Sequence, residues 1–316
     1  MSLNHQMETC EQDVVSYGAM MKGNTRMSTS NEWTISGADG EAILGDAHLP
    51  NGDPVGVVLI AHGFKGYKDY GMFPRIAETM CAAGFIAHRF NFSHSGMTNT
   101  IETFERPDLF ERDTWNKQVF DCRAVVSAVA NGQLEGAGLP YILFGHSRGG
   151  VSVLLTAGRF AGDSALGQPV GIVTAAAPCQ CSSLPKEVAD QLLKDGFIVS
   201  PSSRTGQDLR IDKAALVEQL DDPDGHDLLA LVRRINCPLL VIHGEDDSTV
   251  PVDAAEQIGR AAQSEATVLR IAGGDHVYNT PNPLPADAPS SSQFQQLLDA
   301  MVKFAIARCT QASPAT

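Results

Sequence analysis

The sequence of 316 residues predicts an α/β fold built on a mostly parallel sheet with helices on both faces. Three observations lead there. Continuous apolar, β-branched runs such as Val55–Ala61 have the pattern of strands buried on both faces. Stretches with helical spacing alternate with them, which is the rhythm of βαβ units. Chemistry-bearing residues fall just past the predicted strands, where open parallel sheets place their sites.

The elements follow in order. Residues 1–30 are polar and without sustained period, and read as a flexible N-terminal segment. From Trp33 to Leu49, short alternating stretches are interrupted by Asp39-Gly40 and followed by Asn51-Gly52. Both dipeptides are hairpin-turn signals, so an antiparallel edge is expected. Strands are predicted at Val55–Ala61, Phe85–Phe92, Tyr141–His146, Val170–Ala176, Pro238–His243 and Ala266–Ile271. Helices are predicted at Phe73–Ala83 (closed by Gly84), Thr114–Ala130, Gly149–Phe160, Val252–Ala262 and Phe294–Cys309. Residues 178–237 break the rhythm. They contain helical stretches at Lys186–Lys194, Lys213–Leu220 and His226–Arg234 around a turn-rich piece, Phe197–Ile211. An insertion this long at a strand's carboxyl end reads as a lid, with 31–177 and 238–312 forming the core.

Composition narrows the function. There are 37 acidic against 23 basic residues, a net charge of −14 and no basic cluster. Phosphate backbones and anionic membranes should repel such a chain, so neither nucleic acid nor membrane is an expected partner. No apolar run approaches the roughly 20 residues of a membrane span. The start of the chain lacks a basic, apolar and cleavable signal, and the seven cysteines are scattered, so a cytoplasmic protein with reduced thiols is expected. Cys179-Gln180-Cys181 has no nearby histidines and does not read as a metal site.

The central motif is Gly145-His146-Ser147-Arg148-Gly149, a G-x-S-x-G string between a predicted strand and a predicted helix. A strand that turns at once into a helix puts Ser147 at a strained apex, and bulk at Gly145 or Gly149 would collide with neighbouring backbone. A serine hydroxyl needs a base and an orienting acid to become a nucleophile. His276, in Gly273-Gly274-Asp275-His276, follows the last predicted strand. Glu245, Asp246 and Asp247 follow the one before it. The turn Ala61-His62-Gly63-Phe64-Lys65-Gly66 can aim the Phe64 N–H at the site, and with the Arg148 N–H it would form an oxyanion hole. His62 and His243 precede glycines in turns and read as structural, His146 as packing or pocket lining. Lys65, Tyr67, Lys68 and Tyr70 read as a solvated loop, and Arg204 and Gln207 as hydrogen-bonding within the lid.

From Trp33 to the C-terminus, HGFKG at 62–66, GHSRGG at 145–150, HGEDDSTVP at 243–251 and GGDH at 273–276 resemble the α/β-hydrolase superfamily. Within it the chain is most similar to bacterial carboxylesterases of the cinnamoyl/feruloyl type, which also carry a lid after the sixth strand. The resemblance implies an eight-stranded sheet and a triad of Ser147, His276 and Asp247, with Asp246 as the fallback acid. It implies a small-molecule acyl or aryl ester as substrate, hydrolysed through an acyl-enzyme with neither metal nor organic cofactor. It departs from many relatives at Arg89-Phe-Asn-Phe-Ser-His-Ser-Gly96, which lacks an aspartate and a glycine. Thioester or small-peptide and amide hydrolysis, or a non-catalytic ligand-binding role, stay open on the same residues. A homo-oligomer is compatible with the sequence.

Overall fold

The computed structural model describes residues 30–163, 167–182 and 184–312, so the predicted flexible segment lies almost wholly outside the described residues. Eight strands form one sheet. They are β1 (Ser30–Ser36), β2 (Ala42–His48), β3 (Gly56–Ala61), β4 (Phe85–Asn91), β5 (Tyr141–His146), β6 (Gly171–Ala175), β9 (Leu239–Gly244) and β10 (Ala266–Ile271). Their order is β1-β2-β4-β3-β5-β6-β9-β10. Every pairing from β4 to β10 is parallel, while β1 and β2 form the antiparallel edge.

Burial explains the unbroken apolar run in β3, all six residues of which are buried. Val57, Leu59 and Ala61 face one core, while Val58 and Ile60 face the other. The period-2 pleat thus distributes a continuous run between two layers. On the first face lie α3 (Trp115–Ala130), α4 (Arg148–Arg159) and α9 (Asp253–Ala261). On the second lie α1 (Met72–Ala82) and α10 (Ser292–Ala312). Thr114 caps α3 by accepting the Lys117 N–H. Gly84, at φ +91°, lets the chain leave α1 and start β4 at once.

Three readings of the sequence need correction. Asn51-Gly52 bends the chain but closes no hairpin, because β2 pairs with β4 and not with β3. The β3–α1–β4 crossover lays β4 between them. Phe197–Ile211 is not merely turn-rich: β7 (Phe197–Pro201) and β8 (Asp208–Asp212) pair antiparallel as a separate hairpin. A short helix, α2 (Pro107–Glu111), is present where none was predicted, since five residues are too few to show a period.

The inserted segment also holds α5 (Lys186–Asp195), α6 (Ala214–Asp221), α7 (Pro223–His226) and α8 (Leu228–Val232). Its parts pack differently. Leu228, Leu231 and Val232 of α8 join the first core cluster, while Val199 and Leu220 remain exposed. Among the described residues no helix is long and apolar enough to cross a membrane.

Candidate active site

Four strand ends converge at the carboxyl edge of the sheet. Strand β5 runs straight into Ser147, whose backbone has φ +52° and ψ −122°, a strained conformation for a residue with a side chain. Sterics enforce the sharp turn. A Cβ on Gly145 would lie 2.3 Å from the Gly149 carbonyl oxygen, and one on Gly149 would lie 2.4 Å from that of His62. Sheet, turn and helix therefore touch backbone to backbone, as the sequence motif anticipates.

The loop after β10 brings His276 over Ser147. His276 Nε2 is 3.0 Å from Ser147 Oγ, and Nδ1 is 2.8 Å from Asp247 Oδ2. The Nδ1 proton points to the carboxylate, so Nε2 offers its lone pair to the serine hydroxyl, which donates. Of the three candidate acids, only Asp247 reaches His276 among the described contacts. Glu245 pairs with Arg270 at 3.0 Å, and Asp246 is exposed.

Asp247 is unusually well supplied with donors. Its side chain is fully buried. Oδ1 accepts the N–H groups of Thr249 (2.8 Å) and Val250 (2.9 Å). Oδ2 accepts from His276, and His243 Nε2 lies 3.2 Å away while its hydrogen bond goes to the Val250 carbonyl oxygen at 3.0 Å. Burial opposes ionisation, yet the neighbouring His243, the hydrogen bond from His276 and that from the Val250 N–H outweigh it and hold the carboxyl well below its ordinary pKa. His243 thus ties the end of β9 to the Val250 turn that holds Asp247, a structural hydrogen bond of the kind its sequence context suggests. Its position four residues before Asp247 is the only sequence signal that it also neighbours that carboxylate.

Two further histidines hold the site in place. His146 Nε2 donates to the His276 carbonyl oxygen at 2.8 Å and the two rings lie 5.0 Å apart, so His146 positions the histidine loop besides lining the cavity. Burial pushes its pKa down to about 3, so the ring is neutral. His62 Nδ1 donates to the Gly63 carbonyl (2.8 Å), while Nε2 accepts the Phe92 N–H (3.2 Å). Burial lowers its pKa to about 4. This neutral ring staples the turn after β3 to the end of β4.

That turn abuts the nucleophile candidate: a Cβ on Gly63 would lie 3.1 Å from the Ser147 Cβ. Phe64 lines the cavity, half-exposed and packed on Phe110. Arg148 is the first residue of α4, where helix N–H groups lack intrahelical partners. Its side chain turns to Asp113 at 3.1 Å and stacks on Trp115 at 4.1 Å.

The segment following the turn is not a solvated loop. Tyr67 and Lys68 are buried. Lys68 Nζ binds Asp46 at 2.7 Å and Asp69 at 2.9 Å, and Arg89 pairs with the same two carboxylates. Two cations and two anions satisfy one another under the edge of the sheet. Arg204 and Gln207 likewise bind outside the inserted segment. Gln207 exchanges two hydrogen bonds with the Phe104 backbone, at 2.8 and 3.1 Å, and Arg204 donates to the Ile101 carbonyl.

Ser147 and His276 open into a cavity of about 580 Å³, within the range of small-molecule sites. Gly63, Phe64, Tyr70, Phe73, His146 and the hairpin residues Ser203 and Arg204 contribute to its wall.

Comparison with known proteins agrees with this architecture. A monoacylglycerol lipase of Mycolicibacterium smegmatis is 26% identical over 272 residues, covering 80% of this chain and 93% of the relative. The esterase Est1E of Butyrivibrio proteoclasticus, solved with ferulic acid bound, superposes with a TM-score of 0.64 at 17% identity, over 88% of this chain and 99% of that one. Mouse alpha/beta hydrolase domain-containing protein 10 gives 0.61 at 17% identity, over 88% and 99%. The model of the alpha/beta hydrolase family matches residues 34–286. With that match spanning most of the sheet and its connecting loops, the chain belongs to the alpha/beta hydrolase family.

Proposed function

We propose that this protein is a serine hydrolase of carboxylic esters. One observation carries the reading: the hydrogen-bonded line from Ser147 through His276 to Asp247, at the floor of a cavity large enough for a small ester. The likeness to a relative named monoacylglycerol lipase, and to a fold neighbour solved with ferulic acid, supports an ester over other acyl compounds.

The reaction follows from the geometry. Ser147 Oγ attacks the acyl carbon as His276 Nε2 takes its proton. Asp247, ionised, fixes the ring's tautomer and stabilises the imidazolium. The N–H groups of Phe64 and Arg148 receive the developing oxyanion, and the positive end of α4 favours it further. The C–O bond to the alcohol then breaks, and His276 returns the proton to the leaving oxygen. A water that loses its proton to His276 attacks the acyl-enzyme, releasing the acid and restoring Ser147. The chemistry requires neither a metal nor an organic cofactor. In this reading residues 178–237 serve as a lid, with the β7–β8 hairpin forming the part of the cover that reaches the cavity.

The test is hydrolysis of p-nitrophenyl esters with acyl chains of two to twelve carbons, wild type against Ser147→Ala. Loss of at least about 10⁴-fold in kcat, with an unchanged circular dichroism spectrum, is expected. A fluorophosphonate probe should label Ser147. Turnover that survives the substitution would overturn the assignment, and an unlabelled, inactive but folded wild type would favour a ligand-binding role.

A further inference from the structure

The cavity wall is charged in the opposite sense to the molecule. The chain has 37 acidic and 23 basic residues. The cavity lining nevertheless includes two cations, Lys65 and Arg204, and no carboxylate. Asp247 is sealed behind His276, its side chain fully buried. Asp275, beside His276, is turned into its own loop, where Oδ1 accepts the N–H groups of Val277 (2.9 Å) and Asn279 (2.7 Å).

Both cations are held in place without being neutralised. Lys65 has a left-handed backbone, φ +56°, and its Nζ donates to the Pro201 carbonyl of the hairpin at 2.7 Å. Arg204 donates to the Ile101 carbonyl and contacts Met97 Sδ at 3.3 Å. Its guanidinium lies over Tyr67 (4.8 Å) and Phe104 (5.1 Å). All of these partners are uncharged, and among the described residues neither cation forms an ion pair. Partly buried charge without a counter-ion is costly, and burial lowers the Lys65 pKa accordingly. The arrangement leaves an ammonium and a planar guanidinium, a pair suited to carboxylate oxygens, where the hairpin meets the turn after β3.

We propose that the ester accepted by this site carries a second group, a carboxylate, which is bound by Lys65 and Arg204. This rests on the ester-hydrolase reading above and names the class of substrate: half-esters of dicarboxylic acids, or esters of hydroxy acids with a free carboxyl. The cations act in recognition and lie outside the Ser147–His276–Asp247 line.

The test compares matched pairs. Mono-p-nitrophenyl adipate and suberate are set against the same compounds with the free carboxyl methylated, placing the charge on the acyl side. Acetoxybenzoate and its methyl ester place it on the alcohol side. Each rate is divided by the uncatalysed rate. In the wild type, kcat/KM should favour the carboxylate in at least one pair by tenfold or more. That ratio should fall towards one in Lys65→Met or Arg204→Met and persist in Lys65→Arg. A ratio at or below one in every pair overturns the proposal, and so does a preference that survives both methionine substitutions. Equal, Ser147-dependent hydrolysis of charged and neutral members would overturn the anion site alone. Absence of Ser147-dependent hydrolysis of any member would remove the ester reading and this proposal with it.

Discussion

The elbow around Ser147 and the β7–β8 hairpin border the same cavity but are held by different forces. At the elbow, backbone meets backbone. Gly145 and Gly149 leave no room for a methyl group, and Ser147 is strained between a strand and a helix that are both packed in the core. The hairpin meets the core mainly through side chains. Gln207 bonds to Phe104, Arg204 to Ile101, and Lys65 to Pro201, while Val199 stays exposed. On the proposed reading, the end of the site that would align reacting atoms is thus sterically rigid. The end that, on the same reading, would select what enters can change one side chain at a time, in keeping with the general division between scaffold and binding loops.

The strongest way to break this contrast is at the elbow. Gly149→Val drives a side chain into the carbonyls of Ala61 and His62. It should destabilise the fold by about 3 kcal/mol or more and abolish esterase activity, as read by thermal melting and p-nitrophenyl ester turnover. Asp247→Asn comes next. It should keep the fold but lower kcat by roughly 10⁴-fold, through loss of the carboxylate that orients His276. Asp246→Asn should stay within about twofold, because that side chain is exposed. Equal effects from both would dissolve the distinction between the two neighbours.

Acid should act on the elbow side as well. Burial lowers the folded pKa to about 4 for His48, His62 and His94, and to about 3 for His146, from an ordinary 6.5. As pH falls below 6.5 the unfolded chain takes up protons on these rings, while the folded chain resists until near 4. Their contribution to stability is therefore lost across that window. Burial raises Asp113 and Asp121 to about 6 from 3.8, which acts oppositely, since that stability is present at low pH and lost as pH rises through 6. Four histidines outweigh two carboxyls, so the urea midpoint should be lower at pH 4.5 than at pH 7. A midpoint that rises on acidification would reverse the balance. A modest effect belongs to the hairpin. Gln207→Ala removes both bonds to Phe104 and should cost about 1 kcal/mol, raising KM with little change in kcat.

The legible parts of the molecule were those governed by local rules. The apolar run in β3, the stop at Gly84 and the glycines of the elbow each state their role within a few residues. The strand-end placement of Ser147, the acids and His276 followed from alternation alone. What escaped depends on contacts distant in sequence. Lys68 lies in a polar, aromatic stretch and reads as solvated until Asp46 and Arg89 are brought beside it. The role of His146 rests on a carbonyl 130 residues away. The hairpin was hidden because Ile198 and Val199 sit on a small sheet with little burial, so the alternation that marks a half-buried strand is weak. Asn51-Gly52 shows the converse, for a turn signal says that the chain bends and not which strand it will meet.

The three N–H groups donated to Asp247 bear on how many protons would move in the proposed reaction. Each draws on the carboxylate's negative charge and weakens its hold on a further proton. If His276 takes up the serine proton as proposed, the proton already on Nδ1 therefore has no better place to go and stays on the ring. The proposed acylation would then be a transfer of one proton between oxygen and nitrogen, with Asp247 as a fixed counter-charge and not a second acceptor. Its cradle of donors, two from the main chain and one from His276, would keep the imidazolium intact long enough to serve the leaving group.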